Sequence, residues 1–305
     1  MAYHVSKMDT SSAQPRPAYE ERSSGYVYIP TVGPAVGAVH LDEGLSVLEP
    51  GGRIHRHLHS SEEAFYVLAG TVDLVVPADR HRLSAGHYGF VPVGTAHAWE
   101  NHGDEIAQWI EVAAPQAPTD GRTHTIFLPG AAPDPEARVP DLASPLTRNL
   151  GWWAGAAYRD PFAGQGPTGM DVGVTESPPG VFVKQMVNAQ LGATLVQLIM
   201  CEFAPGVGLY GATHDHCYEE SYILLDGTVD GQIDGQDFRL RAGDAWWVGV
   251  GTPHTWHNNG TTQTRWIEAQ CPQPPRRYSY RWTNQWEVLA KDLGGSARGD
   301  DAADL

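Results

Sequence analysis

The sequence is poor in cysteine and has no long apolar run. Its 305 residues include only three cysteines, Cys201, Cys217 and Cys271. Because this number is small and odd, it indicates a reducing compartment and disfavours a disulfide framework. No apolar run is long enough to span a bilayer, and the first residues lack the apolar segment of a secretory signal. We therefore expect a cytoplasmic protein without a membrane partner.

Basic residues and helical periodicity are also scarce. The chain has 20 Lys and Arg against 36 Asp and Glu, which gives a formal net charge of -16. Such a chain repels nucleic acid, so no nucleic-acid partner is expected. Few stretches keep a 3.6-residue period, whereas 34 glycines and 23 prolines punctuate the chain. Turn signals that recur roughly every eight to twelve residues predict an all-β sandwich or barrel.

What the sequence does contain is an internal duplication. Adding 157 to the residue numbers of one set of polar side chains gives a second set of the same types. Several glycines follow the same shift, and the register holds from Gly51 to Gln116 without an insertion. A repeat of this kind predicts two copies of one structural unit. The first set is His57, His59, Glu63 and His97, and the second is His214, His216, Glu220 and His254.

Each set has the composition of a metal site. His57 and His59 are two residues apart, so on a β-strand they point to the same face. Three imidazoles and one carboxylate suit a divalent transition metal. Closed structural zinc sites are usually rich in cysteine, and neither set contains one, so an open catalytic site is favoured. For a single histidine, burial in a hydrogen-bonded core would be the better explanation, but eight residues repeated in register disfavour it. Whether one or both sites react is left open.

At these residues the sequence resembles the cupin superfamily, and specifically the bicupins. The first cupin motif, G(X)5HXH(X)3–4E(X)6G, and the second, G(X)5PXG(X)2H(X)3N, are both met in the first half. In the second half Gly249 replaces the proline of the second motif. The matching residues outside the eight candidate ligands are Gly51, Gly70, Gly86, Pro92, Gly94, Asn101, Gly208, Gly227, Gly243, Gly251 and Asn258.

The resemblance implies the fold, the cofactor and the domain boundaries. It implies tandem jelly-roll barrels, each with one divalent metal held by its four candidate ligands. Iron, manganese and nickel are favoured, with zinc and copper as alternatives. We expect a first barrel over 20–125, a proline-rich linker or strap over 126–180, a second barrel over 181–290 and a disordered tail over 291–305. Residues 1 to about 25 are polar and are expected to be mobile or to wrap a partner subunit.

The resemblance also suggests the chemistry. Among bicupins, the complete sites are similar to those of quercetin dioxygenases, which implies a dioxygenase that uses O2 on a small enol or phenolic substrate chelated to the metal. In that group the matching glutamate accepts a proton, so Glu63 and Glu220 are the predicted catalytic residues. A homo-oligomer is left open.

Two other classes stay open. One is a non-redox hydrolase or isomerase similar to ureidoglycine aminohydrolase, in which the metal is a Lewis acid. The other is a non-enzymatic cupin that binds a small molecule. Oxalate decarboxylases are less similar, because their motif has an arginine where this chain has Ile54 and Gly211. Gentisate-type dioxygenases lack the glutamate ligand and also fit less well.

Overall fold

The computed structural model describes residues 3–118, 123–153, 180–208, 213–274 and 280–282, and over these residues the chain is built from β-strands. The all-β prediction is confirmed. The helical elements of this part are four single-turn 3-10 helices: Thr10–Ser12, Pro17–Tyr19, Pro34–Val36 and Pro145–Thr147.

The first barrel contains ten strands that are hydrogen-bonded into one curled sheet. The central strand, β3, pairs with four others and places the paired histidines at its end. The strands are β2 (Ser23–Val32), β3 (Asp42–His59), β4 (Glu62–Ala69), β5 (Thr71–Val76), β6 (Asp79–Ser84), β7 (His87–Val91), β8 (His97–Glu100), β9 (Ala107–Ala114), β10 (Thr125–Phe127) and β11 (Leu150–Trp152).

The second barrel repeats this plan with two sheets. One sheet has the order β1-β18-β15-β20-β13-β12 and the other β17-β16-β19-β14-β21. The strands are β1 (Tyr3–Lys7), β12 (Val181–Val187), β13 (Gln197–Phe203), β14 (His214–His216), β15 (Glu219–Asp226), β16 (Thr228–Ile233), β17 (Gln236–Arg241), β18 (Asp244–Val248), β19 (His254–His257), β20 (Thr264–Cys271) and β21 (Tyr280–Trp282).

The duplication extends beyond the motifs, with one change of register. Leu45 on β3 lies opposite Ile110, and Met200 on β13 lies opposite Ile267. The shift before the first motif is therefore two residues smaller than the shift within it. The second half accordingly has extra residues between β13 and β14, where the first half has the continuous strand β3.

The N-terminal strand belongs to the second barrel of its own chain. In β1, Tyr3 pairs with Val248 and Lys7 pairs with Asp244, at the edge of the sheet. The chain then crosses to the first barrel, where β2 pairs with β3. This differs from the expectation that residues 1 to about 25 are mobile or wrap a partner subunit: residues 3–7 find their hydrogen-bonding partners within the chain.

The two barrels share a core and two carboxylate contacts. One buried apolar cluster contains Phe90 of the first barrel and Trp247 of the second. The Glu62 carboxylate accepts hydrogen bonds from the backbone N–H groups of 194–196 at 2.8–3.1 Å. The equivalent Glu219 accepts from those of Val39 and His40, each at 3.0 Å. These reciprocal contacts relate the barrels by an approximate two-fold arrangement.

The boundaries of the linker and the tail stay predictions. Strands β10 and β11 lie within or at the edge of the proposed strap and pair with the first barrel, through β3 and β7 respectively. Residues 154–179 of the strap and the predicted disordered tail lie outside the described residues. Within the described residues, no helix has the length and apolar character to cross a bilayer.

Candidate metal centres

The first group of candidate ligands gathers at one end of the first barrel. His57 and His59 lie on β3, Glu63 on β4 and His97 on β8, and all four side chains are buried. Because strand alternation turns His57 and His59 to one face, both reach the same interior point. Each residue offers one ligand atom within 4.8 Å of those of the others. The sequence analysis predicted this convergence.

The three imidazoles of this group are held through their Nδ1 atoms. His57 Nδ1 lies 2.7 Å from the carbonyl oxygen of His55, and His97 Nδ1 lies 2.9 Å from that of Thr95. A carbonyl oxygen only accepts, so both imidazoles carry a proton on Nδ1, which leaves Nε2 as the nitrogen that can bind a metal. His59 Nδ1 lies 3.1 Å from the Thr125 hydroxyl. The donor set and these tautomers fit a divalent ion.

The second group repeats the arrangement in the second barrel. His214, His216, Glu220 and His254 are all buried, and each offers one ligand atom within 4.8 Å of the others. His216 Nδ1 lies 2.8 Å from the carbonyl oxygen of Tyr218, and His254 Nδ1 lies 2.8 Å from that of Thr252. These two imidazoles therefore also keep Nε2 available, and this group fits a divalent ion as well.

The two carboxylates face their neighbouring imidazoles. Glu63 Oε2 lies 2.9 Å from His59 Nε2 and 3.3 Å from His97 Nε2. Burial opposes the charged form, but the two imidazoles outweigh it and hold the pKa of Glu63 well below its ordinary value. The pKa of Glu220 is lowered in the same way by His216 and His254. Both carboxylates are thus ionised at neutral pH, the state in which they can bind a metal.

The two groups differ in the other side chains that donate hydrogen bonds to each carboxylate. Glu63 Oε1 accepts a hydrogen bond from the Trp99 indole at 3.2 Å. Glu220 Oε1 accepts from the Gln270 amide at 2.7 Å, and its Oε2 accepts from the Tyr222 hydroxyl. The Glu220 carboxylate therefore has an additional hydroxyl donor on the oxygen that faces the imidazoles.

Each barrel has a second buried carboxylate near its group of candidate ligands. These two carboxylates also differ in their hydrogen-bonding partners. Glu111 on β9 receives hydrogen bonds from Arg16 at 2.6 Å and from Ser46 at 2.7 Å. Its equivalent Glu268 receives them from Gln270 at 2.7 Å and Trp266 at 3.4 Å. Burial, followed by repulsion from Glu220, raises the pKa of Glu268 well above its ordinary value. In the first barrel, Arg16 thus compensates the charge of this second carboxylate.

A cavity of about 430 Å³ borders the first group. His59 and Glu63 form part of its wall, and the 3-10 helix Pro17–Tyr19 and Arg16 form another part. Arg16 stacks on the ring of Tyr28, with 3.7 Å between its central carbon and the ring centroid. This volume lies within the range of small-molecule sites, which is about 300–1,000 Å³.

Sequence reasoning did not find Arg16, Tyr19 and Thr125. They lie outside the repeat, in the N-terminal segment and beside the strap, and no spacing links them to the motifs. Other residues near the ligands, Tyr222 and Gln270, were missed because they occupy repeat positions where the first half has Phe65 and Ala113. A difference between the two halves at a buried position was the available signal.

Comparisons with known proteins agree with this architecture. A family model described as "Cupin domain" matches residues 44–113 and 199–269, and these ranges contain all eight candidate ligands. The polyketide synthase CurC of Streptomyces cyaneus is 33% identical over 90 residues, which are 29% of this chain and 58% of that protein. The HTH-type transcriptional regulator PuuR of Escherichia coli (strain K12) is 32% identical over 93 residues, 30% of this chain and 49% of that protein. The chain thus spans less than two thirds of either relative.

Solved structures with a similar fold cover nearly the whole chain. Salicylate 1,2-dioxygenase from Pseudoaminobacter salicylatoxidans has a TM-score of 0.67 at 17% identity, and the match covers 96% of this chain and 83% of that one. A single-substitution variant of oxalate decarboxylase from Bacillus subtilis has a TM-score of 0.61 at 15% identity, with 98% and 85% covered. At these identities the likeness concerns the fold, and it extends over both barrels.

Proposed function

From the premise that this chain is a bicupin, with one cupin domain in each half, we propose that it is a metal-dependent dioxygenase. Its substrate would be a small enol or phenol that chelates the metal, and O2 would be the oxidant. The observation that carries this proposal is the buried group of three imidazoles and one ionised carboxylate, which occurs once in each barrel.

The donor set supports open coordination. Four protein side chains would hold the ion and leave room for a substrate to bind it, and hard nitrogen and oxygen donors suit iron, manganese or nickel. A bound ion of this kind would polarise the chelated substrate oxygen and orient the substrate. Likeness in fold to a salicylate 1,2-dioxygenase adds support.

The protein's own residues would bind and orient the substrate and hold its proton. The cavity beside His59 and Glu63 is large enough for one aromatic ring system. The Glu63 carboxylate is ionised and buried, so its Oε2 would accept the hydroxyl proton of a bound enol. The Trp99 indole, bonded to Oε1, would keep this carboxylate in place.

The test combines metal analysis with oxygen uptake. Freshly purified protein is analysed for metal per chain, and oxygen consumption is then measured with a panel of flavonols and catechol-like enols. We expect one or two equivalents of a transition metal and uptake with at least one member of the panel. Metal-loaded protein that consumes no oxygen with any of them, but releases ammonia from ureido compounds, would contradict the proposal and support a non-redox hydrolase.

A further inference from the structure

The support of His59 differs from that of every other imidazole whose Nδ1 contact is described above. His57, His97, His216 and His254 each face a backbone carbonyl. His59 faces the side-chain hydroxyl of Thr125 at 3.1 Å. Strand pairing brings this about, because Thr125 lies directly opposite His59 where β10 joins β3. The orientation of this candidate ligand therefore depends on one hydroxyl that the repeat does not supply.

The counterpart of His59 in the second barrel is supported in a different way. His216 is the counterpart of His59 in the duplication, and its Nδ1 contacts the carbonyl oxygen of Tyr218 at 2.8 Å. A backbone carbonyl is supplied whatever the side chain at that position, whereas a substitution at position 125 can remove the hydroxyl. A single substitution at position 125 can therefore remove the support of His59 in the first group without removing that of His216 in the second.

The Thr125 hydroxyl is also tied to the N-terminal segment. Its Oγ1 lies 3.3 Å from the Tyr19 hydroxyl, which lies 3.4 Å from Arg16 Nη1. Arg16 Nη1 also donates to Glu111 at 2.6 Å. Tyr19 is buried, and its ring packs edge-on against those of His57 and Phe127. A continuous set of contacts thus joins the N-terminal segment to a candidate metal ligand.

The direction of the key hydrogen bond follows from what each group can do. An imidazole that offers its Nε2 lone pair to a metal carries its proton on Nδ1, so Nδ1 must donate. The Thr125 oxygen is then the acceptor, and its own proton stays free to be donated to Tyr19. Without an acceptor, the buried Nδ1–H would be unsatisfied, or the proton would move to Nε2 and block the lone pair that binds the metal.

We propose that Thr125 is the positioning residue of the first metal centre: it fixes the tautomer and orientation of His59, and Tyr19 holds Thr125 in place. This rests on the part of the proposed function in which the first group holds a metal. It follows that metal affinity in the first barrel depends on β10 and the N-terminal segment, whereas affinity in the second barrel does not depend on Thr125.

The experiment measures Co²⁺ binding in two backgrounds, by calorimetry and by the visible absorption of the ion. Substituting His214 and His216 with alanine leaves the first group as the binding site, and substituting His57 and His97 with alanine leaves the second. In the first background we expect Thr125→Val to weaken Co²⁺ binding by about 10- to 100-fold, the range found for lost partners of metal-bound histidines. Thr125→Ser should restore affinity to within about threefold, because serine keeps the acceptor.

The second background is the control. There Thr125→Val should leave Co²⁺ affinity unchanged. An unchanged affinity in the first background, or an equal loss in both, would overturn the proposal. Failure of the unsubstituted protein to bind Co²⁺ in either barrel would instead refute the proposed function. Tyr19→Phe gives a second variant with a milder change, and it should weaken binding only in the first background.

A tautomer measurement separates positioning from loss of folding. In the protein loaded with Zn²⁺, which is diamagnetic, long-range ¹H–¹⁵N correlations distinguish an imidazole that carries its proton on Nδ1 from one that is protonated on Nε2. We expect Thr125→Val to change this signature for one histidine, His59, while the thermal unfolding midpoint stays within about 3 °C. An unchanged His59 tautomer together with a lowered midpoint would show a merely structural role and contradict the proposal.

Discussion

At the scale of single residues, the candidate sites are the part of this protein that the sequence predicts best. Two histidines that alternate on a strand must share a face, so the convergence of His57 and His59 follows from backbone geometry. The partners of these residues are less predictable. Thr125 and Tyr19 reach the first site through long-range strand pairing, and no local rule of sequence spacing reports such a contact.

The proposed proton acceptor can be tested by an isosteric change. Glu63→Gln keeps the shape of the side chain but removes the charge that accepts a proton. We expect the oxygen-uptake kcat to fall by about 100-fold or more, the usual range for loss of a general base. Glu220→Gln is the matched variant in the other barrel. If Glu63→Gln retains both its metal and full turnover, Glu63 has no catalytic role.

The barrel that carries the reaction can be identified by removing one ligand at a time. Because the cavity of about 430 Å³ borders His59 and Glu63, we place turnover in the first barrel. His97→Ala should abolish oxygen uptake and lower the bound metal by one equivalent. His254→Ala should lower the metal by the same amount and keep most of the uptake. The reverse result would assign turnover to the second barrel.

At the scale of structural elements, periodicity and turn signals predict strands but not which barrel each strand joins. Alternation and glycine spacing are local, whereas β1 lies on the second barrel because the edge of β18 is available to it. The residue shift between the two repeats also changes by two in one region. There the first half has one continuous strand, β3, and the second half has two separate strands, β13 and β14. Neither feature has a local signature, because both depend on contacts between distant parts of the chain.

The reciprocal carboxylates between the barrels give a prediction at this scale. Glu62 accepts backbone hydrogen bonds from residues 194–196 and the hydroxyl of Thr194. Glu62→Gln would turn an amide NH2 toward these donors, so we expect a loss of about 2 kcal/mol in the free energy of unfolding. Glu219→Gln should cost less, because the Glu219 contacts across the interface are the two N–H groups of Val39 and His40.

The control for this experiment is the exposed Glu49, whose change to Gln should alter the free energy of unfolding by less than about 0.5 kcal/mol. Urea unfolding of the three variants and the unsubstituted protein provides the comparison. Equal stabilities for Glu62→Gln and Glu49→Gln would show that the contact between Glu62 and residues 194–196 contributes nothing to the free energy of unfolding.

At the scale of the whole molecule, the interface between the barrels contains a buried acid that makes stability depend on pH. Glu43 on β3 is fully buried, and burial raises its pKa to about 8, although the nearby hydroxyls of Ser221 and Thr31 partly offset this. Ser221 belongs to the second barrel. The native interface therefore holds a protonated carboxyl at neutral pH, and ionising it would place an uncompensated charge between the barrels.

The sign of the effect follows from proton binding. Between the ordinary pKa of 4.5 and about 8, the folded protein keeps the Glu43 proton and the unfolded chain releases it. The contribution of Glu43 to stability is thus fully present below about pH 4.5 and is lost as the pH rises through 8, by at most about 1.4 kcal/mol per pH unit. Glu63 and Glu220, whose pKa values are lowered, act in the opposite direction at acid pH, and they cancel when two proteins that both contain them are compared.

Glu43→Gln isolates this contribution, since glutamine has nearly the same shape and does not titrate. We expect the stability of the unsubstituted protein relative to this variant to fall steadily between about pH 5 and 8, by about 1 kcal/mol per unit, and to level off above that range. Urea unfolding at about pH 5.5, 7 and 8.5 measures the difference. The stability of the exposed variant Glu49→Gln should vary with pH in the same way as that of the unsubstituted protein over this range. If the stability of Glu43→Gln also varies with pH in the same way as that of the unsubstituted protein, Glu43 is already ionised at the lowest of these pH values. The interface would then accommodate its charge.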